Sequence, residues 1–207
     1  MRKEKIMFIH ERLFNSRTIS LALEQFGKLS LREFLLFSLV GILFVVAIVL
    51  LRRLFDKKTE LSDILAGIVM AVYLSIILQL TLVCRADNSR IGIELDVFHG
   101  LLGQANSYRR LMIVYVILNC MLFVPFGFVL SLFSFVHKRK AVVQCAFVIL
   151  ISLIVSLAIE MTQLITGRGY YEVQDVVFNV LGGFIGWVVF RVLSFVINII
   201  AKRIMER

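Results

Sequence analysis

The sequence is poor in the residues that let a chain fold in water or that advertise a familiar chemistry. It has one proline and three cysteines in 207 residues, and charged side chains make up only 18%. Cys84, Cys120 and Cys145 form no CxxC pair and no metal-ligand spacing, which leaves them as inert packing thiols. His10, His99 and His137 lie in different connections, so no metal is expected. There is no Ser-His-Asp order, no HExxH, no phosphate loop and no DxD, so no cofactor is expected and no reaction is identified. The opening MRKEK is not followed within thirty residues by an apolar segment ending in small residues, so a cleavable signal peptide is not expected, and no lipidation signature is seen.

Apolar side chains are what the chain does have. They make up 60% of it, with a mean hydropathy of +0.93, and water does not tolerate such a surface on a chain of this size. The class implied is a small polytopic membrane protein. A net charge of +9 points toward polyanions, yet Lys and Arg fall in short blocks beside apolar runs, a pattern that membrane topology and anionic headgroups explain. No polar segment large enough to carry a nucleic-acid-binding fold remains. The lipid bilayer is therefore the expected partner, nucleic acid is not, and the oligomeric state is open.

Five apolar runs set the architecture: 34–51, 64–83, 111–135, 141–165 and 176 to about 200. The shortest reaches about 27 Å as a helix, enough to cross a bilayer core. The expected fold class is all-α, with five transmembrane helices and an N-terminal interfacial amphipathic segment over 1–33. There Ile6, Phe8, Ile9, Leu13 and Phe14 alternate with Glu11, Arg12 and Arg17, and a loose tail is the alternative. The chain then divides into the first membrane helix with its basic connection (34–60), a four-helix membrane domain (61–200) and a basic tail (201–207). The longest connection, 84–110, has a moderately apolar middle that suggests an interface-lying or re-entrant piece. Pro125 and Gly127 predict a kink in the third helix.

Polar residues inside these runs mark the candidate site. Glu160 and Gln163 stand at i,i+3 near the end of the fourth run, and a ten-residue polar loop with Arg168 and Glu172 follows. Asp175 and Asn179 then share one face of the fifth run, with Gly182 and Gly186 on the same face one and two turns on. An intramembrane acid needs a partner, and Arg168 is the nearest candidate for Glu160. Asn119, in the third run, either lines a polar cavity or bonds across a helix interface as glue. Gly182 to Gly186 reads first as a close-packing face, joined by Gly183, and Pro125 with Gly127 as a kinked, packed wall. Basic residues are densest in the short connections and at the C-terminus, which places that side in the cytoplasm and the polar cluster on the outer face; the basic N-terminal segment argues the other way.

Three blocks of these residues resemble the VanZ-like family, named for an accessory protein of glycopeptide-resistance clusters. The blocks are Asn119 with LFVPFGF (Leu122 to Phe128), the Glu160 and Gln163 pair, and Gly167-Arg168 leading through Asp175 and Asn179 to Gly182-Gly183. The resemblance spans roughly residues 70 to 190. A tyrosine in the second run and the Thr81-Leu82 ending fit more loosely, while the long loop departs from the family pattern, reading DVFHGL from Asp96 to Leu101.

The resemblance implies a multi-pass protein of the cell membrane concerned with teicoplanin-type antibiotic resistance or cell-envelope chemistry. The polar residues read above, Asn119, Glu160, Gln163, Arg168, Asp175 and Asn179, are the candidate ligand contacts, and the expected ligand is a lipid-linked envelope precursor or a glycopeptide. Two alternatives stand beside this. One is an intramembrane enzyme on a lipid-linked headgroup with Glu160 and Asp175 as acid and base; the other is a structural or assembly subunit of a membrane complex.

Overall fold

A computed structural model of the chain describes residues 29–55, 57–84, 90–98, 100–102 and 106–206. Most of the N-terminal segment read as amphipathic lies outside them. Five helices are long and apolar enough to cross a membrane. These are α1 (Leu31–Leu54), α2 (Leu61–Leu78, prolonged by a π-helical turn Gln79–Val83), α3 (Asn106–Leu132), α5 (Ala141–Thr166) and α6 (Val173–Met205). A single turn, α4 (Ser134–His137), follows α3. The protein is thus an all-α polytopic membrane protein, with one small exception to the helical pattern. Strands β1 (Arg90–Glu94) and β2 (Arg168–Glu172) pair in parallel, in the register Arg90↔Arg168 to Glu94↔Glu172.

Chain order fixes the helix directions. Each crossing reverses the chain, so α3 and α6 run parallel and α5 runs against both. Ser30, the π turn, both strands, the end of α5 and the start of α6 gather at one end, here the strand end. The α1–α2 connection, α4 with its turn and the C-terminus gather at the other, the basic end.

Local signals set the boundaries. Ser30 caps α1 through its Oγ, which accepts the Glu33 N–H, and Arg52 and Arg53 stand in the last turn, where the helix dipole favours cations. Gly167 ends α5 in the left-handed conformation at φ +66°, which frees the chain to leave as β2. The loop between α5 and α6 is therefore shorter than the ten residues the polarity of the sequence suggests. Asp175 already belongs to the first turn of α6, and α6 continues through most of the segment read as a basic tail. Helix α3 remains one continuous helix through Pro125. The hydroxyl of Tyr73 donates to the Leu122 carbonyl, in the turn before the proline, where the missing N–H weakens the ladder.

Lipid is as apolar as leucine, so helices here associate through close packing and polar contacts. The tightest seam joins α3 to α6. A Cβ added to Gly182 would fall 2.0 Å from the Cys120 carbonyl oxygen, one on Gly186 2.1 Å from that of Val124, and one on Gly127 2.0 Å from that of Gly183. Backbones meet there. The core around this seam holds Phe123, Phe126, Val129 and Leu130 of α3 with Met70 and Ile77 of α2 and Val148 and Ile159 of α5. Helix α1 stands apart, packing on α2 through Gly41 against Ala71 and Gly67 against Val45. Ser38 is its one buried side chain.

Candidate functional site

The site is built on one face of α5. Gln144, Val148, Ser152, Ser156, Glu160 and Gln163 are all buried, five of them in steps of four residues that track the face of an α-helix. Opposite them stand Asp175, Asn179, Gly183 and Trp187 of α6, also in steps of four. Two helices thus share a polar seam through the thickness of the membrane. Asn179 Nδ2 donates to Ser156 Oγ at 2.9 Å, Ser152 Oγ lies against Gly183, and at the far end Trp187 Nε1 donates to Gln144 Oε1 at 3.3 Å.

Glu160 is the deepest acid, 1% exposed and about 9 Å inside the end of α5 by helical rise. Its Oε2 accepts the backbone N–H of Glu172 at 2.9 Å. Glu172 is the N-cap residue of α6 and offers no side-chain cap of its own. The carboxylate therefore sits where a helix leaves unsatisfied donors and the positive end of its dipole. Asp175, 8% exposed, stands in the first turn of the same helix. Two acids from adjacent helices share one helix N-terminus.

Two further side chains tie the seam to α2. Gln163, 1% exposed, donates through Nε2 to the Thr81 carbonyl at 3.0 Å, and Arg168 donates through a guanidinium nitrogen to the Leu82 carbonyl at 3.1 Å. Both acceptors belong to the π turn. A π turn widens the helix and leaves carbonyls open to outside donors, a feature common beside functional sites. Gln79, which opens the turn, donates through Nε2 to the Ser30 carbonyl at 2.8 Å and so anchors the start of α1. Four helices and β2 are stitched together around Glu160.

Of the six residues singled out as ligand contacts, five are brought together at the strand end: Glu160, Gln163, Arg168, Asp175 and Asn179. Asn119 is half-buried on α3, next to the Cys120 carbonyl that packs on Gly182, and no hydrogen bond joins it to the cluster among the described residues. Sequence reasoning noticed Gln79 at the end of the second run without placing it in the site, and passed over Gln144, Ser152 and Ser156. The four-residue repeat of polar or small residues in α5 was the signal that could have found three of them. The connection 84–110 contributes β1, whose pairing with β2 places it over the cluster; its described residues are that strand, turns with Leu95, Phe98 and Leu102 exposed, and from Asn106 the first turn of α3.

The arrangement is rich in oxygen acceptors and amides. No group of three or more His, Cys, Asp or Glu able to hold a metal occurs among the described residues. His10 and His99 lie outside them, and His137 belongs to the basic end, with Nδ1 3.1 Å from the Leu132 and Phe133 carbonyls. A model of the VanZ/LLP1 family matches residues 65–194, from the first third of α2 to within α6. Neither a curated protein nor a solved structure matches the chain.

Proposed function

The chain belongs to the VanZ/LLP1 family, and from that membership and its buried acid we propose that it acts at the outer face of the cytoplasmic membrane on a lipid-linked envelope precursor or a lipophilic glycopeptide, lowering susceptibility to teicoplanin-type drugs. The observation that carries the reading is Glu160, an ionisable group 1% exposed in a membrane helix and surrounded by polar residues from neighbouring elements. An acid inside a membrane helix is costly, by up to about 3 kcal/mol at the bilayer centre, and is found where a membrane protein handles polar cargo. Glu160, Gln163, Asp175 and Asn179 supply hydrogen-bonding groups for a polar headgroup, and Arg168 a cation for its phosphate. The concentration of Lys and Arg at the basic end supports an outward strand end. Teicoplanin and vancomycin susceptibility is measured with and without the protein and with Glu160→Gln. A selective shift for teicoplanin that vanishes in the variant is expected; superimposable curves for both drugs would refute the reading.

A second reading is favoured by the bonds themselves. Glu160, Gln163 and Arg168 each hold the backbone of another element, as staples of a structural or assembly subunit would. Under that reading Glu160→Gln leaves drug susceptibility unchanged at equal expression, and the protein co-purifies with a partner.

A further inference from the structure

The basic end carries two cationic segments that are distant in sequence and neighbours in space. Arg53 in the last turn of α1 is followed by Lys57 and Lys58 of the α1–α2 connection, and Arg139 and Lys140 belong to the turn before α5. All five are exposed, and none is in an ion pair among the described residues. We propose that these two segments form one binding site for the phosphate of an anionic phospholipid in the leaflet at that end.

The two segments are held to one another by polar bonds. Asp63, in the first turn of α2, accepts both the backbone N–H and the hydroxyl of Ser134 at the start of α4. Glu60 pairs with Lys138 and so ties the α1–α2 connection to the turn before α5. Gln144 Nε2 donates to the His137 and Arg139 carbonyls, each at 2.8 Å, and fixes the backbone that bears Arg139 and Lys140. On the other segment, Arg52 reaches the Lys58 carbonyl at 3.4 Å. A charge signal for membrane orientation acts during insertion and requires no such fixity. A discrete anion gains from it, because pre-set donors lose less freedom on binding.

The surroundings suit a lipid better than a free ion. Leu54, Phe55, Phe135 and Val142 are exposed by 80%, 69%, 47% and 80% beside the cations, an apolar surface for acyl chains directly below a phosphate. The guanidinium groups of Arg53 and Arg139 match phosphate oxygens two at a time, and the lysines add point charge. This site is independent of whatever the strand end does.

The test uses the full chain in nanodiscs of phosphatidylcholine with a minor fraction of phosphatidylglycerol, the lipid retained after transfer to neutral detergent being identified by native mass spectrometry. Phosphatidylglycerol is expected to be enriched, and each of Arg139→Gln and Lys140→Gln to reduce its retention roughly fivefold, the worth of one cation at an anionic surface. Lys202→Gln with Arg203→Gln, at the same end but on α6, leaves retention unchanged. Asp63→Asn keeps every cation and is expected to lose most of the retained lipid; where it does not fold, Ser134→Ala takes its place. Full retention in the folded Asp63 or Ser134 variant, or equal losses from the α6 pair, would mean diffuse surface charge and overturn the site. Release of the lipid by millimolar inorganic phosphate would overturn the lipid assignment.

Discussion

Glu160 on α5 holds the backbone N–H of Glu172, the residue that opens α6, at 2.9 Å. An acid placed near the end of one membrane helix thereby ties down the residue that opens the next. Position and chemistry meet in that one bond: the carboxylate gains a donor where water is scarce, and α6 gains an acceptor at its positive end.

Replacing Glu160 separates the bond from the charge. Glu160→Gln keeps a carbonyl oxygen for the Glu172 N–H and is expected to cost about 1 kcal/mol, whereas Glu160→Ala leaves a buried donor unmatched and costs about 2–3 kcal/mol. Thermal unfolding of the purified protein in one detergent ranks the two. Equal losses would show that charge and not the bond holds the site.

The α3–α6 seam has no room for a methyl group. Gly182→Ala and Gly186→Ala each drive a Cβ to about 2 Å from a backbone carbonyl oxygen, which cannot move aside as a flexible side chain can. Each is expected to destabilise by about 3 kcal/mol or more, at the upper end of overpacking costs. Gly41→Ala, facing a Cβ on the peripheral helix α1 at 2.9 Å, is expected to cost clearly less. Melting temperatures in the order Gly41→Ala above both α6 variants test the ranking.

Asn179 and Ser156 form a side-chain bond buried between α6 and α5. A double-mutant cycle of Asn179→Ala and Ser156→Ala is expected to give a coupling of about 0.6–1.7 kcal/mol, the range of interhelical hydrogen bonds in membranes. A coupling near zero would mean that shape, not the bond, sets this part of the seam.

Orientation is open to direct measurement. Reporter fusions after Lys58, after Lys140 and at the C-terminus are expected to read as cytoplasmic, and one in the Gly167–Gln174 segment as external. The reverse pattern would place the polar cluster inside the cell and remove the premise of action at the outer face.

The five membrane spans were legible because bilayer thickness converts directly into the length of an apolar run, and lipid accepts such a run on every face. Helix ends were less legible. Polarity began before the helices ended, so α5 reaches Thr166 and α6 begins at Val173 although the intervening sequence reads as a longer loop. Glu160, Gln163, Asp175 and Asn179 were visible as rare polar groups at helical spacing. Ser152 and Ser156 were not, since a serine in an apolar run stands out only when its neighbours at four-residue steps are read with it.

What the sequence determined by itself is therefore the number of crossings, a few of the polar groups at helical spacing, and the family to which their order points. Tertiary structure alone decided where those groups bond: Glu160 to the N–H of Glu172, Gln163 and Arg168 to the carbonyls of the π turn, and residues 90–94 to residues 168–172 as paired strands. The reason is physical. Periodicity reveals which face of a helix carries a polar group, but the partners here are backbone donors and acceptors. Every residue has those, and only the meeting of distant segments selects among them.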